Sequence, residues 1–362
     1  MKLSPALSTS LHGALAPVLP RVLALRLSAI ARAPIRIGDS GERGSTTLVI
    51  EKTARGRLAA SLDMAALASD RRVFSGLWRR AGVFVDLLRH PSIAPGAYRC
   101  DYNDMAREAG PVLAFCSNLP GTILVPDRGF YAKRGYAAER TRAASAPAWE
   151  SRDPVVLWRG NHSGAGRVLT ETMSPQDGEL IQRARMCLLA RDIPGTDISF
   201  AVGPRWPAPI AERYRAEGIA AGFVDESAWL GRKFAIDVDG NANAFSNLFI
   251  RMLYGCCVIK IASPLGFRQW YYEDLVPWTH FVPVAADLSD LAEKIRWCRD
   301  NDEACRAIAA NGKAFAEART FERERRATVE RIRKVFSAWP AGLPAGSGRD
   351  GPGNSLTTRD RA

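Results

Sequence analysis

The chain lacks most of the signatures that would settle its chemistry at once. No apolar run reaches the roughly 18 residues a membrane-spanning helix requires, so no such helix is expected. There is no Cys-x-x-Cys. The cysteines Cys100, Cys116, Cys187, Cys256, Cys257, Cys298 and Cys305 are odd in number, and several lie within apolar or helical patterns. That argues against a disulfide or zinc framework and for reduced core thiols in a reducing compartment. Only four histidines occur, none in H-E-x-x-H, so no zinc site is expected. Lysine is scarce beside arginine, yet the formal net charge is +12. A basic surplus suggests an anionic partner: nucleic acid, an anionic membrane surface or a phosphorylated ligand. The charge is spread along the chain, with no compact Arg/Lys stripe interleaved with aromatics. Nucleic acid is therefore not the expected partner.

What is present is ample hydrophobic material, 47% of 362 residues, which suits two domains. Residues 1–40 read as a leader. The stretch "LSTSLHGALAPVLPRVLALRLSAIARAPIR" is apolar but punctuated by His12, Arg21, Arg26 and Arg32. A signal peptide, an amphipathic segment lying on an anionic membrane and a disordered leader all fit it. From 41 to 148, short apolar runs ("STTLVIEK", "PVLAFCSN", "GTILVPD") alternate with polar helices, as in an α/β unit. "AAERTRAASAPAWESRDP" has no hydrophobic period and reads as the interdomain connection. From 149 to 320, strands alternate with helices about 10–15 residues long, the pattern of a parallel, doubly wound sheet. Asp287 is the expected N-cap of its last helices. Residues 321–338 form a charged amphipathic helix, and the Gly/Pro/Ser-rich stretch 339–362 reads as a disordered tail.

Two strand ends in the second unit are unusual, and ligands of open α/β sheets bind beyond the carboxyl ends of strands. One is "WRGNHSGAGR", Trp158 to Arg167. Gly160, Gly164 and Gly166 permit close backbone approach, Asn161 adds polar atoms, and Arg159 and Arg167 offer forked donors suited to phosphate. The loop is neither G-x-G-x-x-G nor a Walker A sequence, and a flexible loop with solvated arginines is the plain alternative. The other is "DVDGNANAF". Asp239, Gly240, Asn241, Asn243 and Ser246 gather where a helix starts, and a helix N-terminus attracts phosphate. Ordinary capping needs only one such residue. Asp127, in "ILVPDRGF", ends an apolar run of the first unit, where a simple turn aspartate is the competing reading. The aromatic-dense "SPLGFRQWYYEDLVPWTHFVPV" suits ring stacking on a base or sugar and suits core packing equally well.

Read together, the order and spacing of "DGN", G-x-x-V-x-K, "WYY", the PW-x-H-F-V-P-V run and "DLSDL" resemble glycosyltransferase family 90 from about Ile123 to Phe315. The resemblance is to its bacterial type, the lipopolysaccharide-modifying and capsule-associated group, related to the protein O-glucosyltransferases. It implies an α/β, GT-B-like fold: two Rossmann-type domains with an interdomain active-site cleft and a C-terminal helix that packs back on the N-terminal domain. Residues 41–148 would then be the acceptor side and 149–320 the nucleotide-sugar side. It also implies an inverting transfer from a UDP-sugar, with no divalent metal and no other cofactor. Carried over position by position, Asp127 matches the catalytic base. Arg159-Gly160 and Arg167 match the diphosphate loop. Lys233 and the turn from Asp239 through Phe245 to Ser246 match the nucleotide-sugar segment. Where bacterial members resemble DGNxNSWPGLF, this chain has DGNANAFSNLF.

The resemblance implies glucose, galactose or xylose passed to a glycan hydroxyl, such as lipopolysaccharide core, by a cytoplasmic protein. The basic surplus adds peripheral contact with the anionic inner face of a bacterial inner membrane. A non-catalytic nucleotide-sugar-binding protein of the same fold is the alternative.

Overall fold

The computed structural model describes residues 12–338; the expected tail and the first eleven residues of the expected leader lie outside the described residues. The elements of the first unit are α1 (Leu19–Ala31), β1 (Arg36–Asp39), β2 (Thr47–Lys52), β3 (Leu58–Leu62), α2 (Met64–Ser69), α3 (Arg71–Leu88), β4 (Gly96–Asp101), β5 (Leu113–Ala114), β6 (Ile123–Leu124), α4 (Arg128–Ala132) and α5 (Ala137–Ala143). Those of the second are β7 (Val156–Gly160), α6 (Gln182–Ala190), β8 (Thr196–Ala201), α7 (Ala208–Ala216), β9 (Ala220–Ala221), β10 (Phe234–Asp237), α8 (Ser246–Leu253), β11 (Cys257–Ile261), β12 (Val282–Val284), α9 (Leu291–Asp300) and α10 (Asp302–Ala318). The last helix is α11 (Phe321–Ala338).

The second sheet runs β12-β11-β10-β7-β8-β9, all parallel. Its two central strands beyond β7 are buried along their whole length. Helices on both faces leave no solvated side, so apolar residues run on without alternation. The chain leaves β7 outward through β8 and β9, then returns to β7's other side as β10. The β7–β10 junction is therefore a topological switch point, where the loops after two strands diverge and open a crevice.

The first sheet is mixed, in the order β1-β3-β2-β4-β5-β6. β2 is antiparallel to both β3 and β4, while β4, β5 and β6 are parallel. This corrects the Rossmann-type expectation for the unit. A short turn closed by Thr53 N–H to the Arg57 carbonyl (2.9 Å) folds β2 onto β3 as a hairpin, and a connection that short cannot join parallel strands. The expected leader is corrected as well. Leu19, Leu23 and Leu27 of α1 are buried, and Leu23 and Leu27 belong to the first unit's core. α3 shows why that core forms. Asp70 caps it by accepting from the Arg72 amide (2.6 Å), and Leu77, Ala81, Phe84, Val85 and Leu88 recur on one face.

α11 packs on the first unit. Val329 and Ile332 join its core, Arg325 Nε donates to Asp86 of α3 (2.6 Å), and Arg331 donates to the Leu124 carbonyl (2.7 Å). The stretch expected as a bare connection contains α5, whose Ala143 is buried with α8, and Trp149, whose indole donates to Asp302 (3.0 Å). Asp287 caps only a turn, at the Ser289 amide (3.0 Å), because α9 begins later, at Leu291. Most of the aromatic stretch is core: Phe267, Trp270, Tyr271 and Phe281 are buried. Phe130 of the first unit meets Phe249 and Trp270 of the second, at ring separations of 5.7 and 5.3 Å. All seven cysteines are free and buried. No helix among the described residues is long and apolar enough to cross a membrane.

Candidate active site

The switch point brings the two unusual loops together. Gly164 N–H donates to Asn241 Oδ1 (3.1 Å), tying the loop after β7 to the loop after β10. Arg183, in the first turn of α6, clamps both from beneath. Its Nε donates to the Asp239 carbonyl (2.8 Å), one Nη to the Asn161 carbonyl (3.1 Å) and Ser163 Oγ (2.9 Å), the other to the Val238 carbonyl (3.2 Å). Burial lowers its pKa, but a guanidinium keeps its proton regardless. Two glycines are required by the close approach. Gly166 has φ +118°, and a Cβ there would stand 2.6 Å from the Glu179 carbonyl oxygen. A Cβ on Gly240 would stand 2.9 Å from Ser163 Oγ and 3.0 Å from the Arg183 guanidinium.

Between these loops and the Pro264–Phe267 segment lies a narrow cleft of about 10 Å³, lined by Gly164, Gln182, Asp239 and Gly240 among others. Two acceptor oxygens there are buried with no hydrogen-bond partner: Asp239 Oδ2 and Gln182 Oε1. The Gln182 amide orientation is determined, since Nε2 donates to the Ala262 (3.0 Å) and Ala286 (2.8 Å) carbonyls. Burial raises the Asp239 carboxyl pKa, against the opposing charge of Lys260. Buried polar atoms are almost always satisfied, so these two acceptors are open to donors from a bound molecule or from ordered water. Beneath them, Asp237 is fully buried and held by Lys260 Nζ (3.0 Å) and Asn247 Nδ2 (2.9 Å).

The carboxyl edge of the first sheet closes over this cleft. Cys116 Sγ donates to Asn243 Oδ1 (2.9 Å), and Asn243 Nδ2 reaches Asp239 Oδ1 (3.2 Å) and the Phe267 carbonyl (3.2 Å). Ser117 and Arg268 exchange backbone hydrogen bonds across the boundary (3.2 and 3.0 Å). Phe245, held at φ +48° and ψ −108° just before α8, packs against the first unit's core and beside Cys116, Ala242 and Phe267. Backbone held there costs about 1–3 kcal/mol and persists only where its surroundings impose it. No side chain caps α8, which leaves its first-turn amides unclaimed by a carboxylate.

Asp127 follows β6 and is 4% exposed. Its Oδ1 caps α4, accepting from Gly129 N (2.6 Å) and Phe130 N (3.2 Å), while Oδ2 has only the Tyr136 hydroxyl at 3.4 Å. Burial raises the Asp127 carboxyl pKa, against the opposing hydrogen bonds from the Phe130 and Gly129 amides. A second carboxylate of this edge, Asp101 at the end of β4, also has its pKa raised by burial. It accepts from Thr46 Oγ1 (2.9 Å) and from the Asn103 (2.8 Å) and Arg107 (3.0 Å) amides.

Of the residues singled out in the sequence, Asn161, Asp239, Gly240, Asn241, Asn243, Phe245 and Ser246 converge, and Gly160 ends β7 at their base. Two do not. The Arg159 guanidinium turns sideways along the sheet and is taken up by the Asp197 carboxylate (2.6 Å) and the Asp197 and Trp158 carbonyls (2.8 and 2.9 Å). Lys233 stands before β10, at the amino end of the sheet, six residues or roughly 20 Å of strand from Asp239. It pairs with Asp302 (2.7 Å). Arg167 is solvent-exposed, with Glu179 at 3.2 Å. Gln182, Arg183 and Tyr136 were not singled out. The one available hint for the first two is a polar Gln-Arg pair at the start of a helix that follows a glycine loop. Among the described residues no group of three or more His, Cys, Asp or Glu is placed to hold a metal ion.

The pattern of the family described as Glycosyl transferase family 90 matches residues 84–322. The chain is 31% identical over 253 residues to the uncharacterized protein 027R of Frog virus 3 (isolate Goorha), covering 65% of this chain and 24% of that protein. It is 31% identical over 183 residues to the uncharacterized protein 179R of Invertebrate iridescent virus 6, covering 46% of this chain and 15% of that one. It is 26% identical over 216 residues to protein O-glucosyltransferase 3 of Rattus norvegicus, covering 57% and 38%. The chain thus spans well under half the length of these relatives. Among solved structures, Anabaena Alr3699/HepE in complex with UDP and glucose aligns with a TM-score of 0.40 at 12% identity, over 90% of this chain and 83% of that one. The matched residues run from α3 to the start of α11 and enclose the whole cleft, and the chain belongs to glycosyltransferase family 90.

Proposed function

We propose that the chain is an inverting, metal-independent glycosyltransferase of the GT-B type. It moves a hexose or pentose from a UDP-sugar to a hydroxyl of a glycan acceptor, lipopolysaccharide core or another surface polysaccharide. Among glucose, galactose and xylose, the named activity of the O-glucosyltransferase relatives favours glucose. It works in the bacterial cytoplasm, at the inner face of the inner membrane. The observation that carries the reading is the pair of orphaned acceptors, Asp239 Oδ2 and Gln182 Oε1, buried at the switch point. Sugar and ribose hydroxyls are the donors such a pair lacks.

The cleft is too narrow for a nucleotide as it stands, so binding requires the two units to part along Cys116–Asn243 and Ser117–Arg268. The acceptor hydroxyl then replaces Tyr136 at Asp127 Oδ2. Its proton passes to that oxygen as the acceptor oxygen bonds the anomeric carbon and the bond to UDP breaks, with inversion. The departing diphosphate is met by Arg167, the glycine-loop amides and the open first turn of α8, each stabiliser of this kind being worth about 3 kcal/mol. Arg183 acts one step back, by holding the loops.

Turnover of UDP-glucose, UDP-galactose and UDP-xylose, measured as UDP release, tests the reading; absence of both turnover and UDP binding would overturn it. Activity should survive EDTA, and a loss restored by manganese would remove metal independence. Asp127→Asn keeps a capping side chain, so the helix should persist while transfer falls about a hundredfold or more and UDP affinity holds. Full activity in that variant, with loss in Asp101→Asn, would move the base to Asp101. A second reading, a non-catalytic nucleotide-sugar-binding protein, is favoured by Asp127's occupation as a helix cap; UDP binding without turnover would establish it.

A further inference from the structure

Away from the cleft, α1, α3, α4 and α11 line an open groove of about 440 Å³ on the first unit, within the size range of small-molecule sites. Six arginines line it, Arg26, Arg79, Arg89, Arg128, Arg134 and Arg325, against two acids, Asp86 and Glu322. Three of the arginines have carboxylate partners: Arg89 and Arg325 share Asp86 (2.8 and 2.6 Å), and Arg134 pairs with Glu322 (3.0 Å). The other three have no carboxylate partner among the described residues. Arg79 Nε reaches only the Ser75 carbonyl of its own helix (2.9 Å), and Arg26 lies 4.3 Å over the Trp78 ring. Burial, with repulsion from Arg79, Arg80 and Arg26, lowers the Arg128 pKa. Two polar atoms at the wall are buried without a partner: Arg26 Nε, a donor, and the Tyr131 hydroxyl. Apolar surface is also there, with the Phe321 ring edge-on to Tyr131 at 5.2 Å.

We propose that this groove binds a sugar phosphate. Crowded guanidiniums without carboxylates are the forked donors that phosphate oxygens take up. An anion set among Arg26, Arg79 and Arg128 would relieve their mutual repulsion and satisfy the orphaned Nε. The volume left beside the guanidiniums, walled by Phe321, Tyr131 and Ile30, suits the C–H face of a sugar ring. The site is distinct from the switch-point cleft and does not rest on the transfer reading. It is nonetheless joined to it mechanically, because Arg128 opens the helix that Asp127 caps.

Calorimetric titration of the full chain with glucose 6-phosphate tests this, with glucose, inorganic phosphate and phosphatidylglycerol vesicles as separate arms. Glucose 6-phosphate should bind, more weakly at higher salt and more tightly than inorganic phosphate, while glucose should not. Arg79→Gln/Arg128→Gln should weaken binding at least tenfold, and Arg167→Ala, in the other site, should leave it unchanged. Excess UDP should not displace the ligand from the unaltered chain, a readout that stands even if the double variant misfolds. No binding of glucose 6-phosphate, binding indifferent to the double substitution, displacement by UDP, or capture by the vesicles alone would each overturn the proposal.

Discussion

The two sheets solve the same construction problem differently. In the second, every strand is parallel and the order reverses once, so loops of two neighbouring strands are forced apart at one place. Asn161 and Ser163 after β7 and Asp239 and Asn241 after β10 therefore converge. In the first, β2 alone runs against its neighbours, while the carboxyl ends of β1, β3, β4, β5 and β6 all point one way. Its polar groups are divided: Asp101 and Asp127 are buried near strand ends, while an arginine-rich groove forms elsewhere, among helices. A position in sequence thus translates into a position in the site only where topology is regular.

The comparison is broken most sharply at Arg183. Arg183→Ala removes a buried clamp and strands four backbone and hydroxyl acceptors, so a loss of about 3 kcal/mol is expected together with loss of UDP binding. A thermal melt and a UDP titration read both; an unchanged melt would mean that the loops hold themselves. Gly166→Ala tests the same convergence through the backbone. A left-handed φ and a Cβ 2.6 Å from a carbonyl oxygen should cost about 2–3 kcal/mol, seen in chemical denaturation, and weaken UDP binding.

In the first unit the sharpest test is Asp86, which ties α3 to α11. Burial alone would raise its carboxyl pKa, but hydrogen bonds from Arg325 and Arg89 outweigh that and hold it below the usual value. A carboxylate depressed on folding adds stability above its unfolded pKa, and that stability is lost as pH falls through the lower folded value. Asp86→Asn should therefore cost about 2 kcal/mol near neutrality, between the limits for exposed and buried pairs. The difference from the parent should shrink as pH falls below about 4, and denaturation at several pH values checks it. The smallest effect is expected at Lys233→Ala, at the far end of the sheet. Its pair with the half-exposed Asp302 is worth less than about 1 kcal/mol, and UDP affinity should not move. A fall in affinity would return Lys233 to the site.

Much of the second unit was legible because its signals are local. Alternation of strand and helix, glycines after β7 and the polar turn before α8 are properties of short stretches, and parallel topology brings them together. Arg159 and Lys233 misled for a reason equally physical. A residue type and a neighbouring motif do not say which way a side chain leaves a strand, nor at which end of a strand it stands. Asp197, 38 residues further along the chain yet on the neighbouring strand β8, claimed Arg159. Arg183 escaped notice because its partners are the backbone carbonyls of loops twenty and more residues distant.

The sequence by itself determined the family pattern, the parallel second sheet, the reduced thiols and the two loops at its strand ends, because propensity, periodicity and turn chemistry act over a few residues. Tertiary structure alone decided the mixed first sheet, the placing of α1 and α11 against one core and the orphaned oxygens of Asp239 and Gln182. It also decided the gathering of three unpaired arginines from three helices. Each of these depends on which distant segment arrives alongside, and satisfaction or frustration of a buried polar group exists only once its neighbours have been chosen.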